Sequence, residues 1–357
     1  MAASFRGSFA MTGDRGLKVM VGLIAAVVVC SALYIASSIF APFALALLII
    51  AIVGPLQTKL GKRVPKLIAV LVSILMTVAV VSVFVWLVIW GFGRIARALI
   101  SDASRYQAFY DQMILWLESH GVSVVGLWSE HFNVSWLVRA VQQVSARLNT
   151  TLSFWLIAIV YTILGLLEVD DMRHKVAGLK NREVARVLLS GSKAIATKLR
   201  KYMLVRTMMS ITTGLLVWAL ATAVGLEFAA EWGVIAFALN YIPFIGPLIA
   251  TVFPTLFALV QFISWETALG VFVCLNVIQF IVGSYIEPRV SGSALSMSPF
   301  IVLFSVFFWA YVLGIFGAFI GVPITLTILT FCEQHPSSRW VSDLIGRHGG
   351  PEAENPA

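Results

Sequence analysis

Few side chains in this sequence are equipped for chemistry, and most of those sit in apolar surroundings. Along the apolar run 268–285 and just past its end, Asn276, Gln279, Gly283 and Glu287 recur at i, i+3, i+7 and i+11. That spacing lays two amides, a small residue and a carboxylate along one helix face. Asn240 stands just before Pro243-Phe244-Ile245-Gly246-Pro247, and Gly314, Gly317 and Gly321 precede Pro323. Polar groups inside apolar segments are costly and tend to mark a solute or ion path. Amides and a carboxylate near two Gly- or Pro-rich tips suit a small polar solute. They equally suit a monovalent cation exchanged for a proton, if burial raises the Glu287 pKa. The structural alternatives are interhelical hydrogen bonding for Asn276 and Gln279, an interfacial ion pair with Arg289 for Glu287, and close packing for Gly317-x-x-x-Gly321.

The elements that position these residues belong in lipid. The chain has 357 residues, 60% hydrophobic and 12% charged, with a mean hydropathy of +0.94. Soluble domains average about 45–50% apolar and about 25% charged residues. A soluble core of this length cannot hide so much apolar surface, so the bilayer must. The net charge is +8 and the pI about 9.6. The basic residues gather in loops between apolar runs, which points to membrane topology rather than nucleic acid. Cys30, Cys274 and Cys332 are scattered through apolar runs and form neither a disulfide framework nor a zinc pattern. Arg6, Arg15 and Lys18 precede an apolar run from Val19 to Val53 that is too long for a signal peptide, so a retained anchor is expected.

About 20 apolar residues cross a bilayer. Candidate runs lie at 17–40, 41–53, 67–90, 152–167, 204–224 and 268–285, with Pro42 marking the first turn and Gly54-Pro55 the second stop. Segment 91–150 differs: Ile95, Leu99, Tyr106, Phe109, Met113 and Leu117 repeat at helical spacing among charges, as do Val134, Leu137, Val141, Val144 and Leu148. This is the pattern of amphipathic helices lying on the membrane or on the spans. Residues 168–203 carry nine basic and four acidic side chains, and loop 54–66 carries Lys59, Lys62, Arg63 and Lys66 with no acid. The positive-inside rule therefore places both basic stretches and both termini in the cytoplasm, with 91–150 and the Glu227/Glu231 turn outside.

Residues 232–263 and 299–331 are each two apolar arms around a tip. Such a stretch covers roughly 50 Å as helix, short of the about 60 Å that two crossings need. Both read as re-entrant or broken hairpins that return to the side they leave. Broken backbone at membrane depth persists only inside protein or beside an aqueous cavity, and paired breaks mark the substrate path of secondary transporters. The fold expected is an all-α polytopic membrane protein with about eight hydrophobic segments plus amphipathic surface helices. Its units are a three-span bundle at 1–90, an extracytoplasmic amphipathic segment at 91–150, a fourth span with a basic helix at 151–203, a transport core at 204–333 and a flexible cytoplasmic tail at 334–357.

Three stretches extend this reading: Asn240-Tyr-Ile-Pro-Phe-Ile-Gly-Pro247; Glu287-Pro288-Arg289-Val290-x-Gly292, followed by Leu295-Ser-Met-Ser-Pro299; and Phe308-Trp309, followed by Gly314-x-x-Gly317-x-x-x-Gly321-Val-Pro323. Their order and spacing resemble the autoinducer-2 exporter family of bacterial inner-membrane permeases. The resemblance implies an oligomeric multi-helix transporter. Members are associated with export of the autoinducer-2 quorum-sensing signal, others with Na⁺(Li⁺)/H⁺ antiport. It carries the family pattern over to Pro243, Gly246, Pro247, Glu287, Pro288, Gly314, Gly317 and Pro323.

Other motifs lead nowhere. Gly91-Phe-Gly93-Arg-Ile-Ala96 follows a membrane helix, not a strand, and Ser190-Gly-Ser-Lys193 lies on a basic helix without supporting motifs. No Walker, metalloprotease or Gly-x-Ser-x-Gly motif appears, so no ATP drive, enzyme chemistry, cofactor or metal is called for. The basic stripe at 173–201 suits anionic lipid headgroups. The expected function is a secondary transporter exporting a small polar solute such as autoinducer-2. Na⁺(Li⁺)/H⁺ antiport and a non-transporting membrane scaffold are the alternatives. The expected partners are the bilayer, further copies of the chain, and either the solute or a monovalent cation and proton, but not nucleic acid.

Overall fold

The computed structural model describes residues 4–119, 134–291, 297–334 and 338–345, and their regular structure is helical. α1 (Ser4–Ile35) and α2 (Ser37–Leu60) are parted by Ala36 alone, at φ −99° and ψ 26°. The expected turn at Pro42 and stop at Gly54-Pro55 are therefore corrected, because both prolines lie inside α2. A proline inside a helix removes one backbone hydrogen bond, which packed neighbours make tolerable in lipid. Pro42 is fully buried, and Ala41, Leu45 and Leu48 beside it join the main core.

α3 (Lys66–Ser101) runs past its expected end at Trp90 and is followed by α4 (Ala103–Ser119). α5 (Val134–Ala177) and α6 (Arg182–Val224) have 44 and 43 residues, and each joins an expected amphipathic stretch to a span without a break. At 1.5 Å per residue each is about 65 Å long, roughly twice the hydrocarbon thickness. The boundaries drawn at 150/151 and 203/204 thus fall within continuous helices. Asn181 starts α6 by accepting hydrogen bonds from the Glu183 and Val184 N–H groups, and Gly225 at φ 75° ends it.

Both hairpins are present as helix–break–helix units. α7 (Ala229–Leu239) and α8 (Ile245–Phe262) form the first. α9 (Trp265–Phe280) continues through a π-helical segment, Ile281–Ile286, into α10 (Glu287–Ser291). α11 (Pro299–Leu313) and α12 (Ile315–Glu333) form the second hairpin, and α13 (Arg339–Ile345) packs on α12. Among the described residues seven helical stretches are long and apolar enough to cross a bilayer, α8 and α12 included, whereas α7 and α11 are shorter. Each hairpin therefore pairs a short arm with a long one. At 11 residues α7 reaches about 16 Å, half a crossing. Gly292, Leu295 and Ser296 of the family-like stretches, and residues 346–357, lie outside the described residues.

α6 is the spine of the core. It packs against α2, α5, α7, α9, α10 and α12. Its crossing with α7 is a backbone contact: a Cβ at Gly214 would sit 2.8 Å from the Gly233 carbonyl oxygen, and one at Gly233 would sit 2.7 Å from Trp218 Cβ. Small residues at such crossings let dispersion contacts accumulate where lipid offers no hydrophobic drive. Overpacking costs typically about 1–3 kcal/mol. Gly233→Ala should therefore destabilise the detergent-solubilised protein by that order, read as a lower thermal midpoint. Gly270→Ala on α9, where an added Cβ meets nothing within 4 Å, should leave it unchanged or slightly raised.

Candidate transport site

Two tips define the site. In the first, the Ile245 N–H donates to the Pro243 carbonyl at 2.7 Å, and Phe244 sits at φ 63°, ψ −53°. That is a three-residue γ-turn of the rare, strained hand. Pro247 is the third residue of α8, within the first turn, where a missing N–H leaves no acceptor unpaired. In the second tip Gly314, at φ 72° and ψ −158°, is the whole break. A Cβ at Gly246 would strike the Leu239 carbonyl, and one at Gly317 the Trp309 carbonyl. The two glycines thus play the same part: each lets the long arm's first turn lie against the short arm's backbone. Gly321 continues that contact, 2.9 Å from the Ser305 carbonyl for an added Cβ. Gly314 does not share this face. It has open space around it and serves the turn.

The hairpins meet through aromatic rings. Tyr241 in the first tip packs on Phe319 of α12 at 5.4 Å between centroids, on Phe84 of α3 at 5.6 Å and on Phe237 of α7 at 5.7 Å. Its hydroxyl donates to Thr207 Oγ1 of α6 at 3.0 Å, and next to it Asn240 Nδ2 donates to Ser210 Oγ at 3.3 Å. Phe316, two residues past Gly314, stacks on Phe154 of α5 at 3.5 Å. Pro323 is buried inside α12, where its carbonyl accepts from Thr327 Oγ1 at 2.8 Å.

α6 brings a polar stripe to this junction. Arg206, Ser210 and Thr213, at i, i+4 and i+7, are buried at 7%, 0% and 0% exposure. Arg206 Nη1 donates to both Glu287 carboxylate oxygens, at 3.0 and 3.1 Å. Sequence reasoning overlooked Arg206, although it is the one charged residue in the apolar run 204–224. Glu287 had been matched to Arg289, whose guanidinium instead lies 3.7 Å from the Tyr285 ring centroid.

The proposed polar face of 276–287 is not one face. A π-helical segment takes about one extra residue per turn, so Ile281–Ile286 rotates everything beyond it. Glu287 turns to α6, while Asn276 is exposed and its amide donates to the Phe272 carbonyl of its own helix at 2.8 Å. Pro288 follows Glu287 in α10 and is exposed. Gln279 lies between Leu275 and Val282, residues that pack towards α6; Val282 forms a small core with Val205 and Met209. Gln279 Nε2, Arg206 Nε and Thr213 Oγ1 are buried without a hydrogen-bond partner. Among the described residues no group of three His, Cys, Asp or Glu side chains could hold a metal ion.

This arrangement lies within a stretch of known kind: residues 23–337 match the AI-2E family transporter profile. The chain belongs to the AI-2E family of transporters. It is 29% identical over 333 residues to the AI-2 transport protein TqsA of Escherichia coli K12, covering 93% of this chain and 96% of that protein. A Haemophilus influenzae protein with a provisional transport name is 24% identical over 354 residues, covering 92% of this chain and 96% of its own. The Escherichia coli protein YhhT, also provisionally named for transport, is 28% identical over 207 residues, 56% of each chain. This AI-2E transporter thus carries both hairpins and the Arg206–Glu287 pair inside its family-matched region.

Removing one member of a buried ion pair leaves the other uncompensated, at a cost that reaches about 3–5 kcal/mol in full burial. Glu287 keeps 22% side-chain exposure, so the cost here is smaller. Arg206→Ala should lower the thermal midpoint more than the double change Arg206→Met with Glu287→Met. Melting curves of the purified variants check that order.

Proposed function

We propose that this transporter exports a small polar solute such as autoinducer-2 along the α6 face between the two hairpin tips, driven by an ion gradient, with both termini cytoplasmic. The observation that carries the reading is that, of the eight buried, unpartnered side-chain atoms among the described residues, Arg206 Nε, Thr213 Oγ1 and Gln279 Nε2 lie on α6 and on the α9 that packs against it. An unsatisfied buried polar group costs about 1–3 kcal/mol. A hydroxyl-rich solute offers donors and acceptors that recover this, and an apolar one does not. The name of the TqsA relative supports the same substrate class. A structural scaffold gains nothing from unpaired donors in its core.

Antiport finds less support in the geometry. A carboxylate that alternately takes a cation and a proton must be free to do so, and both Glu287 oxygens are engaged by Arg206. Under this reading Glu287 and Arg206 position the α6–α9 seam. The residues facing the solute are Thr213 and Gln279, with Asn240 and Tyr241 closing the tip above them.

Proteoliposomes loaded with autoinducer-2 and read with a luminescent reporter test the proposal. Gln279→Leu and Thr213→Val should each slow release by roughly tenfold, the factor that about 1.4 kcal/mol of lost interaction gives. Wild-type release from both variants would remove the seam from the path. A pH-sensitive dye trapped in the same vesicles should stay silent on a Na⁺ jump, and a robust signal there would favour antiport. Gly246→Leu and Gly317→Leu should abolish release while sparing membrane insertion, because the added side chain forces the hairpin arms apart.

A further inference from the structure

A half-open groove of about 780 Å³ runs between α2, α5, α6 and the second hairpin. Arg206, Gln279 and Glu287 do not line it. Its walls are apolar, with Phe43, Leu47, Ala51, Ala196, Leu313 and Ile324 representative. Its charged residues are Arg173, Lys193 and Arg200, and no acidic residue lines it. The hydroxyls of Thr58, Ser192 and Thr327 are turned onto carbonyls of their own helices. Arg173 and Lys193 are exposed and belong to no ion pair among the described residues, and Arg200 Nε donates to the Ala196 carbonyl of its own helix.

The course of the packed helices α2, α5 and α6 carries the three cations towards one end. Phe43 meets Tyr161, and further on Gln57 Nε2 donates to the Leu166 carbonyl. α2 and α5 therefore rise together, and Arg173, beyond Leu166, lies towards the Thr58 end. α6 doubles back from α5 after residue 181, which brings its N-terminal half, with Lys193 and Arg200, alongside. The opposite end of the groove is lined by Leu33 and Phe40.

We propose that this groove is a binding site for a membrane phospholipid with an anionic headgroup, its acyl chain in the trough and its phosphate on Arg173, Lys193 and Arg200. The volume falls in the range of about 300–1,000 Å³ usual for small-molecule sites. An acyl chain gains little by moving from bilayer to apolar protein wall, so the chain does not choose the lipid. The choice falls to the three cations, which form charge-assisted hydrogen bonds to phosphate oxygens and sit where basic pockets between membrane helices take anionic headgroups. A soluble anion would leave the trough unfilled. A second copy of the chain covering the groove would have to bury two unpaired cations.

Native mass spectrometry of the full-length protein released from phosphatidylglycerol or phosphatidylcholine bilayers tests this. Retained phosphatidylglycerol and lost phosphatidylcholine are expected for the wild type. The triple change Arg173→Gln, Lys193→Gln, Arg200→Gln should cut phosphatidylglycerol retention roughly fivefold or more. Filling the trough with Ala51→Phe and Ala196→Phe should do the same with the cations intact. Equal retention of the two lipids, or no effect of either set of changes, overturns the proposal. So does competition by glycerol phosphate, which has no tail, or loss of oligomer mass instead of lipid in the filled variant. Should the variants not fold, phosphatidylglycerol brominated on its acyl chain reads the wild-type groove directly. It should quench the fluorescence component that Trp309→Phe removes, since Trp309 lines the trough, and absence of that quenching equally overturns the proposal.

Discussion

A buried guanidinium near the start of an apolar run must have a counter-charge, and much of this structure follows from meeting that demand at Arg206. Desolvating the ion costs several kcal/mol unless it is paired and hydrogen-bonded. Glu287 supplies both acceptor oxygens. To reach them the chain after α9 leaves α-helical register for the π-helical segment Ile281–Ile286. That shift also explains why Glu287 leaves the line that a regular helix would give it with Asn276, which is exposed. The ion pair thus fixes how α9 and α10 lie on α6. The remaining elements are fastened to the same helix at other levels, α7 through the Gly214–Gly233 backbone crossing and α12 through Lys198–Glu333 at 2.6 Å.

The hairpins solve a second problem, which is how to reverse a chain of apolar helices within a narrow tip. Each tip is narrow because a glycine in the long arm accepts the short arm's carbonyl against its own Cα, Gly246 against Leu239 and Gly317 against Trp309. Polar atoms freed by the turns are taken up by α6: Asn240 goes to Ser210 and the Tyr241 hydroxyl to Thr207. Tyr241 links the systems, with its ring between the hairpins and its hydroxyl on the spine. A displacement of either tip is therefore felt at α6, the helix that carries Arg206 and Thr213.

What could be read from the residues alone divides along physical lines. The breaks in the two hairpins were legible because Gly and Pro gather at their tips, and the Gly317/Gly321 contact was legible because small residues at that spacing have few other uses. The continuity of α5 and α6 was not. A rise in charge near 150 or before 204 marks where a helix leaves lipid, not where it ends. The break at Ala36 carries no compositional sign, while the prolines that do carry one, Pro42 and Pro55, are absorbed into α2. The partner of Glu287 was hidden by the π-helical segment, which no residue pattern announces. Arg206 itself was visible as a lone charge in an apolar run, and weighing it would have pointed to α6 as the centre of the site.

Phe244 carries a consequence of its own. Its backbone holds a left-handed bend that a bulky side chain adopts at a cost of order 1–3 kcal/mol. The hydrogen bonds that span the bend are local, from the Ile245 N–H to the Pro243 carbonyl and from the Gly246 N–H to the Ile242 carbonyl; α6, α12 and the ring cluster around Tyr241 hold the tip from outside as well. The first hairpin is therefore cocked. Loosening those outer contacts lets the bend relax on its own account.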